Sequence, residues 1–271
     1  MIFRNHFSLF LALAVVFLAG CTALINKAAF YPDRSFALPA EKLPAGVRHE
    51  LIPTTDGERI ELFIVAGRDS RRAVLYFHGN GGNIAQRVPE LQQIAATTDA
   101  TVIGVGYRGY GASTGRASEQ GIYRDGEAAL GYVKQSLGFP DEKIVLFGRS
   151  LGSTVAVHLG ARHKVAGIIL VTPLSSGREF IKAHGLSALA FVGNGAFDNL
   201  ARGPALTAPV LVVHGTDDEV VPFRHGQALY ASIKAPKQFI TIDHGHHNDL
   251  EFVNPAMFWS AIADFMKAPS K

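Results

Sequence analysis

The stretch Ile144-Val145-Leu146-Phe147-Gly148-Arg149-Ser150-Leu151-Gly152 decides how this chain is read. Four apolar residues lead into Gly148, and the run from Leu151 to Ala161 that leaves it has helical character. G-x-S-x-G between a strand and a helix is a nucleophile elbow. The serine sits there on a sharp, strained turn. A side chain two places to either side would strike the neighbouring strand or helix, so glycine takes both places. The turn lifts the hydroxyl clear of the sheet edge and sets it at a helix N-terminus, where N–H groups and the helix dipole stabilise negative charge. The pattern predicts Ser150 as a nucleophile and the Leu151 N–H as one donor to an oxyanion.

Outward from the elbow, short apolar runs alternate with amphipathic segments. His49–Ile52 and Arg59–Val65 read as opening strands around the turn Asp56-Gly57. Ala73–Phe77, Thr101–Val105, Lys143–Phe147, Ile168–Val171, Val210–Val213 and Lys237–Ile242 read as further strands. Helical spacing runs through Ile84 to Ala95, Tyr123 to Leu137 and Leu151 to Leu159, and from Pro255 through Phe265. Continuous apolar strands between amphipathic helices predict an α/β fold: a mostly parallel central sheet covered by helices on both faces. Pro173 to Ala208 breaks the rhythm; residues 173–208 are too long for a plain connection and read as a small lid or cap.

A nucleophilic serine needs a base, and the base an orienting acid. Two loops after late strands supply candidates: His214-Gly215-Thr216-Asp217-Asp218-Glu219 and Asp243-His244-Gly245-His246-His247-Asn248-Asp249. The residues alone leave Asp217 and Asp218 equally placed. His244, His246 and His247 with Asp243 and Asp249 could also ligate a metal, but a triad uses this loop better, so no metal is expected. Gly104-Val105-Gly106-Tyr107-Arg108-Gly109 matches a dinucleotide fingerprint after a strand. No helix opens there and the loop continues through Gly115, so no cofactor is expected either.

With these segments in order, the chain resembles the α/β-hydrolase superfamily, in particular its serine aminopeptidases, esterases and depalmitoylases. The resemblance spans nearly all of residues 46–271. It rests on Phe77-His78-Gly79-Asn80-Gly81-Gly82-Asn83, Tyr107-Arg108-Gly109-Tyr110-Gly111, Gly148–Gly152, His214–Pro222 and His247-Asn248-Asp249. The family pattern H-G-x-x-D-x-x-V-P implies Asp218 as the acid. G-H-N-D implies His247 as the base, with His246 the other register. The loop after Phe77 implies the Asn80 N–H, then Gly81, as the second oxyanion donor, and His78 as a histidine that pins this loop.

The N-terminus is a separate object. Phe7 to Leu18 is nearly continuous apolar sequence after Arg4, shorter than the ~20 residues a membrane-spanning helix needs. It fits a secretory leader, and Leu18-Ala19-Gly20-Cys21 resembles the lipobox of bacterial lipoproteins. Residues 1–20 are therefore read as a signal peptide, Cys21 as a lipid attachment site, and 21–45 as a tether broken by Pro32, Pro39 and Pro44. Cys21 is the only cysteine, so no internal disulfide can form. Localisation is expected at the bacterial cell envelope, lipid-anchored and extracytoplasmic. Thr22 offers no acidic retention signal and so favours the outer membrane.

The chain has 271 residues, 48% hydrophobic and 18% charged, enough for one large domain. The net charge of +3 is scattered, without a basic run carrying interleaved aromatics, which argues against nucleic acid as a partner. The function expected is hydrolysis of carboxylic esters or thioesters in a small-molecule or acylated substrate. A peptidase of the same fold is the alternative within enzymes. A non-enzymatic binding lipoprotein is the alternative outside them.

Overall fold

A computed structural model describes residues 24–34, 43–69 and 71–267. Eight strands form the main sheet: β1 Val47–Pro53, β2 Arg59–Val65, β3 Ala73–Phe77, β4 Thr101–Gly106, β5 Ile144–Arg149, β6 Gly167–Val171, β7 Val210–Gly215 and β8 Lys237–Ile242. Their order is β8-β7-β6-β5-β3-β4-β2-β1. The β1–β2 and β2–β4 pairs are antiparallel and the rest parallel. Strands β3, β6 and β7 are buried throughout, and β5 up to Arg149. That burial is why they read as unbroken apolar runs.

Among the described residues the longer helices are α1 Val88–Thr98, α2 Glu119–Gln135, α3 Gly152–Gly160, α4 Gly177–Ala183, α5 Arg224–Ser232 and α6 Pro255–Lys267. The period-two alternation of the strands sorts their side chains into two cores. Val74, Tyr76, Val145 and Phe147 pack with Leu91 and Ile94 of α1 and Phe258 and Ile262 of α6. Leu75, Phe77, Leu146 and Leu170 pack with Leu130 of α2, Val155 of α3 and Leu229 of α5. Because the central strands are parallel, their C-terminal ends share one edge, and the candidate site lies there.

The tether expected over 21–45 is corrected for its described residues 24–34. Residues 24–29 form a short helix, and Tyr31–Pro32 pairs in parallel with Gly81–Gly82. Phe30 is buried and meets the Phe197 ring edge-on at 6.0 Å. Arg34 Nε donates to the Gly109 carbonyl at 2.8 Å. The apolar residues Leu24, Ile25, Ala28, Ala29 and Phe30 precede the first proline, so packing fixes a segment whose composition alone suggests a linker. Cys21, Thr22 and the whole leader lie outside the described residues. No described helix is long and apolar enough to cross a membrane.

The glycines of the dinucleotide-like run serve packing. A Cβ on Gly104 would lie 2.6 Å from Leu91 Cδ1, and one on Gly106 2.8 Å from Ile84 Cγ2. Asp125, buried in α2, accepts from Arg108 N and Nε at 2.8 and 2.9 Å. Residues 173–208 hold α4, a 3-10 stretch Ser187–Gly193 and the short helix Asn199–Arg202, and α4 packs against the 3-10 stretch.

Candidate active site

Ser150 follows β5 with φ 53°, in the left-handed region. Its neighbours show why glycine brackets it. A Cβ on Gly148 would lie 2.6 Å from Gly152 O, and one on Gly152 2.0 Å from Phe77 O. The Ser150 N–H is spent on the Val171 carbonyl at 2.9 Å, which ties the turn to β6. The hydroxyl faces the imidazole of His247: Oγ to Nε2 is 2.9 Å, across 97 residues of chain.

His247 stands on the loop after β8, and Asp218 on the loop after β7. His247 Nδ1 lies 2.8 Å from Asp218 Oδ2 and 3.0 Å from Oδ1. A carboxylate only accepts, so Nδ1 carries the ring hydrogen and Nε2 is left to accept the serine proton. All three groups are nearly buried, at 9% exposed for Ser150, 5% for Asp218 and 6% for His247.

Asp218 is held from several sides. Oδ1 accepts the N–H groups of Val220 at 3.0 Å and Val221 at 2.7 Å. His214 Nε2 lies 3.2 Å from Oδ2 and 2.8 Å from the Val221 carbonyl. Since a carbonyl cannot donate, this nitrogen bears hydrogen. Burial works to raise the Asp218 pKa. The hydrogen bonds from His214, His247 and the Val221 N–H outweigh it and hold the carboxyl well below the usual range. Asp217, by contrast, points outward to Thr216 and to His244, 3.2 Å away. His246 faces Glu219 at 3.0 Å in solvent. The structure therefore brings together Ser150, Asp218 and His247, and sends Asp217, His244 and His246 to the surface.

Asn80 and Leu151 flank Ser150 in one cavity. Among the described residues, their N–H groups have no acceptor. The Asn80 loop is clamped on its carbonyl side: Tyr107 OH donates to His78 O at 2.8 Å, Tyr110 OH to Asn80 O at 2.7 Å, and His78 Nδ1 to Gly79 O at 2.7 Å. His78 stacks on Tyr107 with centroids 4.4 Å apart. Burial first, and the positive Arg87 second, lower its pKa to about 3, so the ring is neutral.

One cluster escaped sequence reasoning. Arg149, the residue before Ser150, makes a bidentate pair with Glu251 at 3.0 Å and reaches Glu90 at 2.9 Å. Tyr76 OH donates to the other Glu90 oxygen at 2.8 Å. Glu251 lies just past the His247 loop, so this network joins the elbow to the loop that carries the imidazole. Nothing in the sequence marks it, since the x of G-x-S-x-G takes many side chains.

The cavity opening on Ser150 measures about 500 Å3. Its walls come from the N-terminal helix (Leu24, Ile25, Ala28) and from the 173–208 segment (Phe180, Leu186, Leu189). Among the described residues no Asp or Glu lines it.

This strand order, with a serine elbow after β5, an acid after β7 and a histidine after β8, is an α/β-hydrolase arrangement, and the chain belongs to the α/β-hydrolase family. Residues 72–194 match the alpha/beta hydrolase fold family directly. The chain is 32% identical over 199 residues to alpha/beta hydrolase domain-containing protein 17B of Homo sapiens, covering 73% of this chain and 68% of that one. It is 34% identical over 189 residues to the alpha/beta hydrolase domain-containing protein aho-3 of Caenorhabditis elegans, covering 68% and 54%. Among solved structures, an esterase of Pyrococcus furiosus aligns with TM-score 0.72 at 17% identity, over 88% of this chain and 97% of the other. Acetyl xylan esterase 1 from Thermoanaerobacterium aligns with TM-score 0.67 at 15% identity, over 92% and 93%. At such identities these two likenesses concern the fold.

Proposed function

We propose that this protein is a serine hydrolase cleaving carboxylic ester or thioester bonds through an acyl-enzyme. Ser150 Oγ attacks the acyl carbonyl while His247 Nε2 takes its proton. Asp218 fixes the tautomer and stabilises the imidazolium. The Asn80 and Leu151 N–H groups receive the developing oxyanion, each such donor lowering the barrier by about 2.7–4 kcal/mol. His247 returns the proton to the departing alkoxide or thiolate. It then takes a proton from water, whose oxygen attacks the acyl carbon. That proton passes to Ser150 as the carboxylic acid leaves, and the acid then loses its own proton to solvent.

The observation that carries this reading is the unbroken line Ser150 Oγ, His247 Nε2, His247 Nδ1, Asp218, with contacts of 2.9 and 2.8 Å. The apolar cavity favours an acyl group over an aminoacyl one, because a free α-amino group would find no carboxylate there. The relatives, alpha/beta hydrolase domain-containing proteins, agree with hydrolase chemistry. A fluorophosphonate probe tests the reading, together with a panel of p-nitrophenyl esters, acyl thioesters and aminoacyl amides. Wild type should label and turn over esters or thioesters, and Ser150→Ala should do neither. Equal labelling of Ser150→Ala, or an unreactive wild type, defeats it.

The location belongs to the same proposal. Cys21 carries the lipid and the domain lies outside the cytoplasm, at the outer membrane of a bacterial envelope. Cys21 is at most about 11 Å of extended chain from Leu24, and Leu24 is on the cavity wall beside the exposed Leu186 and Leu189. Anchoring there would hold the apolar mouth against lipid. Cys21→Ser should abolish incorporation of labelled palmitate and release the protein from membranes. Unchanged incorporation removes the anchor.

A further inference from the structure

Residues 24–34 touch the site in two separate ways. The first is through backbone. Tyr31 N–H donates to Asn80 O at 3.0 Å, and Asp33 N–H to Gly82 O at 3.0 Å. Asn83 Nδ2 donates to Asp33 O at 3.1 Å and Gln86 Nε2 to Asp33 Oδ2 at 2.9 Å. The loop that carries Asn80 is thus stitched at several points to a strand outside the main sheet. Its Asn80 carbonyl takes two hydrogen bonds, one from Tyr31 N–H and one from Tyr110 OH. Holding the peptide after Asn80 from both sides fixes the direction of the N–H before it.

The second contact is through side chains. Leu24, Ile25, Ala28 and Ala29 have the i, i+1, i+4, i+5 spacing of one helix face. All four line the cavity that opens on Ser150. Phe180 and Leu189 of the 173–208 segment line the same cavity.

We infer that residues 24–34 are a working part of the site: the helix 24–29 limits the acyl chain that Ser150 accepts, and Tyr31 positions the Asn80 oxyanion loop. The inference rests on the serine-hydrolase reading and assigns part of its specificity to a segment outside the main sheet. Tyr31 is a positioning residue here, since it acts through Asn80. A donor that binds the oxyanion stabilises the transition state more than bound substrate, so loosening it lowers kcat and spares KM. Narrowing the cavity does something different: it discriminates by chain length.

Both signatures are read on the full chain with p-nitrophenyl acetate, butyrate, octanoate and dodecanoate. Ala28→Trp and Ile25→Trp should lower the dodecanoate-to-acetate ratio of kcat/KM at least tenfold. Tyr31→Pro removes the donated N–H and Tyr31→Phe keeps it. The proline variant should show a kcat for acetate at least tenfold below the phenylalanine variant, with KM differing less than threefold. Ratios within twofold of wild type in both tryptophan variants overturn the inference. So does a folded Tyr31→Pro with the kcat of Tyr31→Phe. If Tyr31→Pro does not fold, the tryptophan variants decide alone. A wild type that hydrolyses no ester defeats the serine-hydrolase reading instead, so the two failures are told apart.

Discussion

Replacing Asp218 with asparagine should lower kcat about 10,000-fold, the scale seen when a triad acid loses its charge but keeps its shape. The geometry gives the reason. Asp218 Oδ1 accepts two backbone N–H groups, from Val220 at 3.0 Å and Val221 at 2.7 Å, so the amide oxygen must take that place. The amide nitrogen then occupies the Oδ2 position, 2.8 Å from His247 Nδ1 and 3.2 Å from His214 Nε2. His214 Nε2–H is committed to Val221 O at 2.8 Å, so His214 offers the amide nitrogen no acceptor there. His247 must answer the new donor with a lone pair on Nδ1. Its hydrogen moves to Nε2 and points at Ser150 Oγ, 2.9 Å away. A ring in that tautomer cannot accept the serine proton. The loss corresponds to about 5.5 kcal/mol of barrier. Initial rates on p-nitrophenyl butyrate measure it, with KM changing little because Asp218 does not reach substrate. Asp217→Asn is the contrast: its side chain is 45% exposed and faces His244, so kcat should stay within twofold. Retention of more than a tenth of kcat in Asp218→Asn, or an equal loss in Asp217→Asn, refutes the reasoning.

Three further perturbations read other parts of the structure. The His78 pKa falls from 6.5 to about 3 on folding. Below pH 6.5 the unfolded chain therefore takes up a proton the folded one refuses, and stability declines as pH drops toward 3, by up to about 1.4 kcal/mol per pH unit. Urea midpoints at pH 7.5, 6 and 5 should fall more steeply for wild type than for His78→Gln. Gly152→Ala places a Cβ 2.0 Å from Phe77 O. Because backbone cannot yield as a side chain does, the cost should exceed the about 1–3 kcal/mol of ordinary overpacking, seen as a lowered thermal midpoint and lost probe labelling. Glu251→Ala leaves Arg149, 12% exposed, with Glu90 as its remaining carboxylate partner among the described residues. Chemical denaturation should show about 1.5–3 kcal/mol less stability.

The sheet was legible because its central strands are buried on both faces. Ala73–Phe77 reads as a strand at its true bounds, since every residue is apolar and covered. Helix α5 went unread, with Gly226 inside it and few apolar positions to set a period. The helix at 24–29 was missed for a related reason: a helix this short forms only against a partner, and composition does not show the partner. Within the site, the turn that carries Ser150 was plain from two glycines and a serine, and the structure places that serine against His247. Asp217 and Asp218 were not separable by type or position; what separates them is a turn that aims two N–H groups at Asp218 alone. The Arg149 pairs were invisible, because Glu90 and Glu251 lie 59 and 102 residues away and charge carries no address along a sequence.

His247 and Asp218 are held unequally, and the inequality suits the proposed chemistry. His247 touches Ser150 and Asp218, so its ring is free to trade a proton between serine and leaving group. Asp218 receives the Val220 and Val221 N–H groups and faces two imidazoles, so it stays charged and still while the ring beside it changes state. The pair His214-Gly215 at the end of β7 contributes to the arrangement on the Asp218 side. His214 supplies a donor beside the acid. Gly215 supplies room: a Cβ there would lie 2.1 Å from Gly245 O, the carbonyl that instead accepts Asp217 N–H at 3.1 Å. With that space filled, the loop after β8 could not close on the loop after β7, and the imidazole would stand away from its carboxylate. A glycine outside the triad thereby sets the His247–Asp218 contact on which the proposed proton transfer depends.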